Sequence, residues 1–208
     1  MAATRTDRKG PARSPAQVGP HLELARAAAA GDNAAAGQLL REVAPAVGRV
    51  VQAILGGQHP DVDDAAQQAL IGFVRALPGY RGDCPPISYA TTIAIRSALA
   101  FRRRARLAHA RHDPAALDFI ATDRPSPGDQ AAAERRKQAL RDLLCELPIE
   151  QAEALAMRVV LGWSLEEIAV QANAPLNTVR SRLRLAKERL KLRIERDAAL
   201  LALLEVTR

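Results

Sequence analysis

Nowhere in this 208-residue chain do β-branched residues form alternating runs, whereas apolar residues return at spacings of three and four along most of its length. That pattern excludes a sheet with one wet face and demands helices packed on helices. Proline and glycine then decide where each helix must stop. The expected class is all-α.

His21 to Leu55 reads as two helices separated near Gly31-Asp32-Asn33, with Asp32 placed to cap the second. Pro45 falls inside that second pattern and predicts a kink or a boundary. Gly56 to Pro60 breaks the chain, and Asp61 opens a helix whose first-turn acids complement the helix dipole. Its apolar stripe is Val62, Ala66, Ala69, Phe73 and Leu77. The proline- and glycine-rich stretch from Pro78 to Ser88 reads as loop, with Ser88 capping a run from Tyr89 to about His109. On a helical wheel Ala90, Ala94, Ser97 and Phe101 share one side of that run, while Thr92, Arg96, Leu99 and Arg103 lie opposite.

Composition changes at His112. From Asp113 to Asp129 four aspartates face a single arginine, with Pro114, Pro125, Pro127 and Gly128 among them, which reads as an acidic, flexible linker. The expected layout is a disordered basic tail over 1–20, a helical domain over 21–111, a linker over 112–133 and a second helical domain over 134–208.

The second domain holds the most directed pattern, SLEEIAVQANAPLNTVRSRL. Ser164 followed by Glu167 is a capping box, and a helix of about two turns follows. Asn173 suits the left-handed turn that ends it, and Pro175 stands at or just before the next helix's first turn. In that second helix Leu176, Val179, Leu183, Ala186 and Leu190 face inward. Asn177, Thr178, Ser181 and Arg184 therefore face out, flanked by Arg180, Arg182 and Lys187. Short polar groups between cations suit a helix laid in a major groove, the former reaching base edges and the latter phosphates. This is a helix-turn-helix reading.

A net charge of +7 agrees with a polyanionic partner. Cys84 and Cys145 stand far apart without neighbours at metal-ligand spacing, so neither a disulfide framework nor a metal site is expected. The four histidines form no triad or metal pattern, and no glycine-rich loop suggests a nucleotide or other cofactor. Catalysis is not expected. No apolar run approaches the roughly 20 residues of a bilayer span, so no membrane insertion is expected and the location reads as cytoplasmic.

With these motifs in view, Leu147 to Leu190 resembles the promoter-reading C-terminal domain of bacterial sigma factors of the extracytoplasmic-function group of the sigma-70 family. The matching landmarks are Leu147-Pro148, Gly162, Ser164, Glu167-Ile168-Ala169, Thr178-Val179 and Ser181-Arg182-Leu183. Asp61 to Arg106 resembles the other sigma domain, through Asp61, Asp64, Gln67, Tyr80-Arg81-Gly82, Ile93-Ala94 and Arg103-Arg104.

The resemblance implies a transcription initiation factor that binds core RNA polymerase and promoter DNA and assists promoter opening. It assigns Asp61, Asp63, Asp64, Gln67 and Gln68 to core polymerase. It gives the loop from Tyr80 through Arg81, Gly82 and Asp83 to Ser88 to an unstacked base of the opened strand, an extrusion that costs a few kcal/mol and needs compensating contacts. Tyr89, Thr92, Arg96, Leu99, Arg103 and Arg104 would lie against the downstream promoter element. Asn177, Thr178, Arg180, Ser181, Arg182, Arg184 and Lys187 would read the upstream one. Tyr89, Arg96 and Ala100 depart from the family's usual Trp, Asn and Asp, and Asn177 from its common Gly. An anti-sigma factor is permitted as a partner without being demanded. The alternative reading is a stand-alone helix-turn-helix regulator that binds duplex DNA as a dimer.

Overall fold

The computed structural model describes residues 20–112 and 128–205. The expected basic tail, save its last residue, and linker residues 113–127 lie outside the described residues. Among the described residues the chain forms nine α-helices and no strand.

Helix α1 (Pro20–Ala29) turns through Gly31 into α2 (Asn33–Leu55). Asp32 caps α2 as expected, accepting the N–H groups of Ala34 at 2.8 Å and Ala35 at 3.0 Å. Pro45 neither ends nor divides α2. It lies on the exposed side, while Val43, Val47, Val50 and Val51 hold the buried side continuous.

Helix α3 spans Val62–Ala76 and buries Val62, Ala65, Ala69 and Phe73, so the inward stripe runs through Ala65 in place of Ala66. Asp61 precedes it without a side-chain cap bond, its own N–H donating instead to His59 Nδ1. A short 3₁₀ turn, Leu77–Gly79, follows.

Helix α4 then runs from Pro86 to His112. It starts earlier than a Ser88 cap would allow, because a proline at the first helical position brings the right φ and lacks only an N–H that would have no partner. The Ser88 carbonyl is instead inside the helix, accepting the hydroxyls of Thr91 and Thr92.

The C-terminal unit comprises α5 (Gly128–Glu146), α6 (Ile149–Val160), α7 (Leu165–Gln171), α8 (Leu176–Glu195) and α9 (Ala198–Glu205). Helices thus claim His112 and residues 128–133 from the expected linker. The terminal stretch does not prolong α8. Asp197 stops it and caps α9, accepting N–H groups from Ala199 and Leu200 at 3.1 Å.

One buried cluster runs through both units, joining Leu39, Val47, Ile54, Phe73, Ile95 and Leu99 to Leu147, Met157, Ile168 and Val179. At roughly 1.5–3 kcal/mol for each large apolar side chain taken from water, this shared core supplies the main driving force for folding. Where the units meet, Arg102 is only 3% exposed. It donates to the carbonyls of Leu55 at 2.9 Å and Ile54 at 3.4 Å, and to the Asp142 carboxylate at 2.8 Å. Arg141 of α5 takes the Ala53 carbonyl at 3.0 Å, and the Gly56 N–H takes that of Gln52. All four terminal carbonyls of α2 are thereby satisfied, two by a cation that also offsets the negative helix end.

Candidate nucleic-acid interface

The helix-turn-helix forms as its sequence requires. Ser164 and Glu167 close a reciprocal capping box, with Glu167 N–H to Ser164 Oγ at 3.1 Å and Ser164 N–H to Glu167 Oε2 at 2.8 Å. Asn173 supplies the left-handed turn at φ 45°, the one positive φ among described residues other than glycine.

Helix α8 buries Val179, Leu183 and Ala186, with Leu176 and Leu190 half-buried. Its other side presents Asn177, Arg180, Ser181, Arg184 and Lys187 to solvent, with Thr178 and Arg182 half-buried beside them. Arg180 donates to Asn177 Oδ1 at 3.2 Å, and Arg184 pairs with Glu188 at 2.7 Å. The cations are thus aligned along one side of the helix. Both contacts are exposed, one a hydrogen bond to a neutral amide and the other an ion pair of a kind that contributes only ~0–1 kcal/mol, so phosphates can replace these partners at little cost.

The loop after α3 is held by aromatic stacking. Tyr89 packs edge-on to Phe73 with ring centres 6.2 Å apart and lies 5.3 Å from Tyr80, whose hydroxyl donates to the Cys84 carbonyl. Burial raises the Tyr80 phenol above its usual range, so it acts as a donor at any ordinary pH. Gly82 adopts φ 77°, and a Cβ there would approach Leu22 Cδ1 of α1 to 3.3 Å. Backbone conformation and space both call for glycine. Arg81 and Asp83 lie exposed on either side.

Helix α4 corrects the sequence reading. Thr92, Arg96, Leu99 and Arg103 were expected on an outward face, yet Thr92 is 3% exposed and Leu99 fully buried. The C-terminal unit meets that side of the helix. The Thr92 hydroxyl reaches Gln171 Oε1 at 3.3 Å, Arg96 pairs with Glu153 at 3.1 Å, and Arg103 donates to the Leu147 carbonyl at 2.6 Å. Arg104 stays exposed, its guanidinium 5.8 Å from the centre of the Phe101 ring. Arg106, which the sequence reading passed over, pairs with Glu146 at 2.8 Å. A wheel assigns one buried face per helix, and α4 has two. Arg102 carried a readable signal, since Thr91, Ile95, Ala98 and Arg102 fall on a single inward row.

On α3, Asp63, Asp64, Gln67 and Gln68 are exposed and Asp61 is half-buried. Ile71 and Val74, which the sequence reading did not single out, continue this surface as exposed apolar residues, 36% and 37% accessible. They were legible as apolar positions off the buried stripe. Among the described residues no acidic, histidine or cysteine group is placed to hold a metal ion, and no helix is long and apolar enough to cross a membrane.

Two family profiles match the chain, sigma-70 region 2 over residues 39–107 and sigma-70 region 4 over residues 137–190. The extracytoplasmic-function RNA polymerase sigma-E factor of Escherichia coli K12 is 30% identical over 139 residues, 62% of this chain and 71% of that protein. The extracytoplasmic-function sigma factor SigM of Mycobacterium tuberculosis Erdman is 29% identical over 172 residues, 82% of each chain. Among solved structures, CnrH in complex with the cytosolic domain of CnrY superposes with a TM-score of 0.51 at 20% identity, covering 85% of this chain and 97% of that one. That likeness is one of fold.

Proposed function

The chain belongs to the sigma-70 family, in its extracytoplasmic-function group, and from this premise we propose how its parts divide the work. It is a sigma factor that directs core RNA polymerase to promoters. The observation that carries this is the order of the two matches on one chain, region 2 before region 4.

The exposed acids and amides of α3, Asp63, Asp64, Gln67 and Gln68, with Asp61 at its start, dock on core polymerase. Ile71 and Val74 add apolar area to the same surface, supplying contact energy where the acids supply orientation. The α8 face reads the upstream promoter element: Asn177, Thr178, Ser181 and Arg184 at base edges, Arg180, Arg182 and Lys187 on phosphates. The Tyr80–Ser88 loop with Tyr89 receives an unstacked base of the opened strand, and Arg96 and Arg104, which stay exposed on α4, contact the downstream element. Partners are core RNA polymerase and promoter DNA, with an anti-sigma factor as a further protein partner. The chain works in the cytoplasm and supplies binding energy and position, not chemistry; the bond-forming step belongs to polymerase.

Sedimentation and mobility-shift measurements test this against a stand-alone dimeric regulator. The expected result is a monomer that holds duplex DNA weakly alone and retains specific fragments only with core polymerase. Tight binding of a palindrome by a dimer, without polymerase, would overturn it.

A further inference from the structure

Arginines near the α4–α6 side of the molecule are spent on protein partners: Arg96, Arg102 and Arg106 on carboxylates, Arg103 and Arg141 on helix-end carbonyls. Arg49 of α2 is different. It is exposed, and among the described residues it makes no ion pair or hydrogen bond. It lines a cleft of about 360 Å³.

Three elements build that cleft. Helix α2 contributes Ala46 and Val50 beside Arg49, the first turn of α4 contributes Ile87 and Ser88, and the turn between α6 and α7 contributes Trp163. The walls are otherwise small aliphatic groups, and no carboxylate lines them. The field inside is therefore that of one cation.

The walls are set before anything enters. The Trp163 carbonyl accepts Arg158 Nη1 at 2.6 Å, its N–H donates to the Met157 carbonyl at 3.3 Å, and Ser164 beside it caps α7. On the facing side the Thr91 hydroxyl donates to the Ser88 carbonyl at 3.0 Å, so its proton is already used. The Ser88 hydroxyl has no partner among the described residues. Two donors, the Arg49 guanidinium and the Ser88 hydroxyl, thus stand beside an apolar surface that ends in an indole. A preformed site spares its ligand the cost of ordering these walls.

Size and lining fit a small molecule. Ligand sites span roughly 300–1,000 Å³, are mostly apolar with a few placed polar groups, and favour boundaries between helical units. A planar guanidinium matches a carboxylate in two parallel bonds. One cation neutralises a monoanion, whereas a dianionic phosphate would keep a charge against apolar walls, where an unpaired charge is costly. The indole favours an aromatic ring in offset or edge contact.

We propose that this cleft is a receptor site for a small monocarboxylate with an aromatic or branched apolar body, its carboxylate on Arg49 and Ser88 and its body against Trp163. Apart from Ser88, which ends the loop assigned to the captured base, the site uses no residue given to polymerase or DNA, so it does not rest on that reading.

Trp163 is the chain's only tryptophan, so the site carries its own reporter. The full chain would be titrated with phenylbutyrate at constant ionic strength while Trp163 fluorescence is followed, alongside its neutral isostere phenylbutyramide and, as the bare anion, acetate. The variants are Arg49→Gln, Ala46→Leu, which fills the cleft from α2, and Arg41→Gln, an exposed arginine earlier on α2 outside the cleft. Far-UV circular dichroism and thermal melting report whether each is folded. Should Arg49→Gln fail to fold, Ala46→Leu and the amide comparison decide.

The expected result is a saturable change of one site per chain, half-complete at about 1 mM or below, the affinity that about a dozen non-hydrogen atoms supply at ordinary ligand efficiency. Phenylbutyramide and Arg49→Gln should each weaken binding by about tenfold, as loss of a charge-assisted bond does. Ala46→Leu should abolish it, Arg41→Gln should leave it unchanged, and acetate should give no saturable change. An unsaturated response to phenylbutyrate at about 20 mM would overturn the site. So would equal binding of the amide, or binding that folded Arg49→Gln and Ala46→Leu leave intact.

Discussion

Replacing Arg102 by methionine isolates the joint on which both units depend. Methionine keeps most of the unbranched stem but removes the guanidinium that serves the Leu55 and Ile54 carbonyls and the Asp142 carboxylate. Hydrogen bonds from a charged donor contribute ~1.5–3 kcal/mol each, and a buried carbonyl left without a donor costs ~1–3 kcal/mol. Two terms reduce the total. The variant no longer desolvates a cation, and Asp142, whose side chain is 33% accessible, recovers water. The 3.4 Å contact to Ile54 is also weak, and Arg102 Nε has no partner to lose. The net expectation is a loss of about 3 kcal/mol, which at a urea slope of ~2 kcal/mol/M lowers the midpoint by ~1.5 M. The assay is urea unfolding followed by far-UV circular dichroism, with Arg104→Met, an exposed change two residues on and on the opposite side of α4, expected to cost under ~0.5 kcal/mol, alongside. A cycle with Asp142→Asn should give a coupling of ~1–3 kcal/mol. A midpoint shift under ~0.3 M, or an equal shift from Arg104→Met, would refute the assignment of Arg102 as the shared cap.

Ser164→Ala removes one arm of the capping box and should cost about 1 kcal/mol, read as a lower thermal midpoint with the fold retained. Arg184→Ala and Ser181→Ala should weaken the matched upstream element more than a scrambled one, whereas Arg182→Ala should weaken both alike and reduce the salt slope by about one phosphate; equal losses on both sequences for all three would reject the reading face. Charge reversal at Asp61 and Asp64 should reduce capture by core polymerase in a pull-down while the C-terminal face still binds DNA. Burial pushes the Cys145 thiol up to about 11 from 9.0. Below pH 9 the thiol is protonated folded or unfolded, but between pH 9 and about 11 only the unfolded chain releases the proton, so stability should fall over that window more steeply in the unaltered chain than in Cys145→Val. Parallel slopes would show that this thiol is not shielded.

What the sequence revealed, and what it withheld, divides along local and non-local physics. The Asp32 cap, the Ser164–Glu167 box and the Asn173 turn each depend on groups within three residues of one another, so a reader of the sequence finds them. The exposed face of α8 was equally legible, because a helix with one apolar stripe leaves little choice for the other side. Pro45 does not bound α2, because the buried valines on the opposite side hold the helix continuous past it. Helix α4 misled for a deeper reason: burial of Thr92 and Leu99 comes from contacts with residues 50 to 80 positions away, and no periodicity within the helix distinguishes a DNA-facing side from a protein-facing one. The run Arg102 to Arg106 shows the same ambiguity, since a cation suits a phosphate and a helix C-terminus equally. The break at Asp197, by contrast, was available in the sequence, as an aspartate immediately before the seven apolar residues Ala198 to Leu204.

The most direct measurement maps transcript 5′ ends made by core RNA polymerase on a library of genomic fragments, with and without this chain. The account predicts a small set of new start sites that appear only with the chain, share one upstream and one downstream sequence at fixed spacing, and weaken when Arg184 or Asp64 is changed. Start sites indistinguishable from those of core polymerase alone would contradict it.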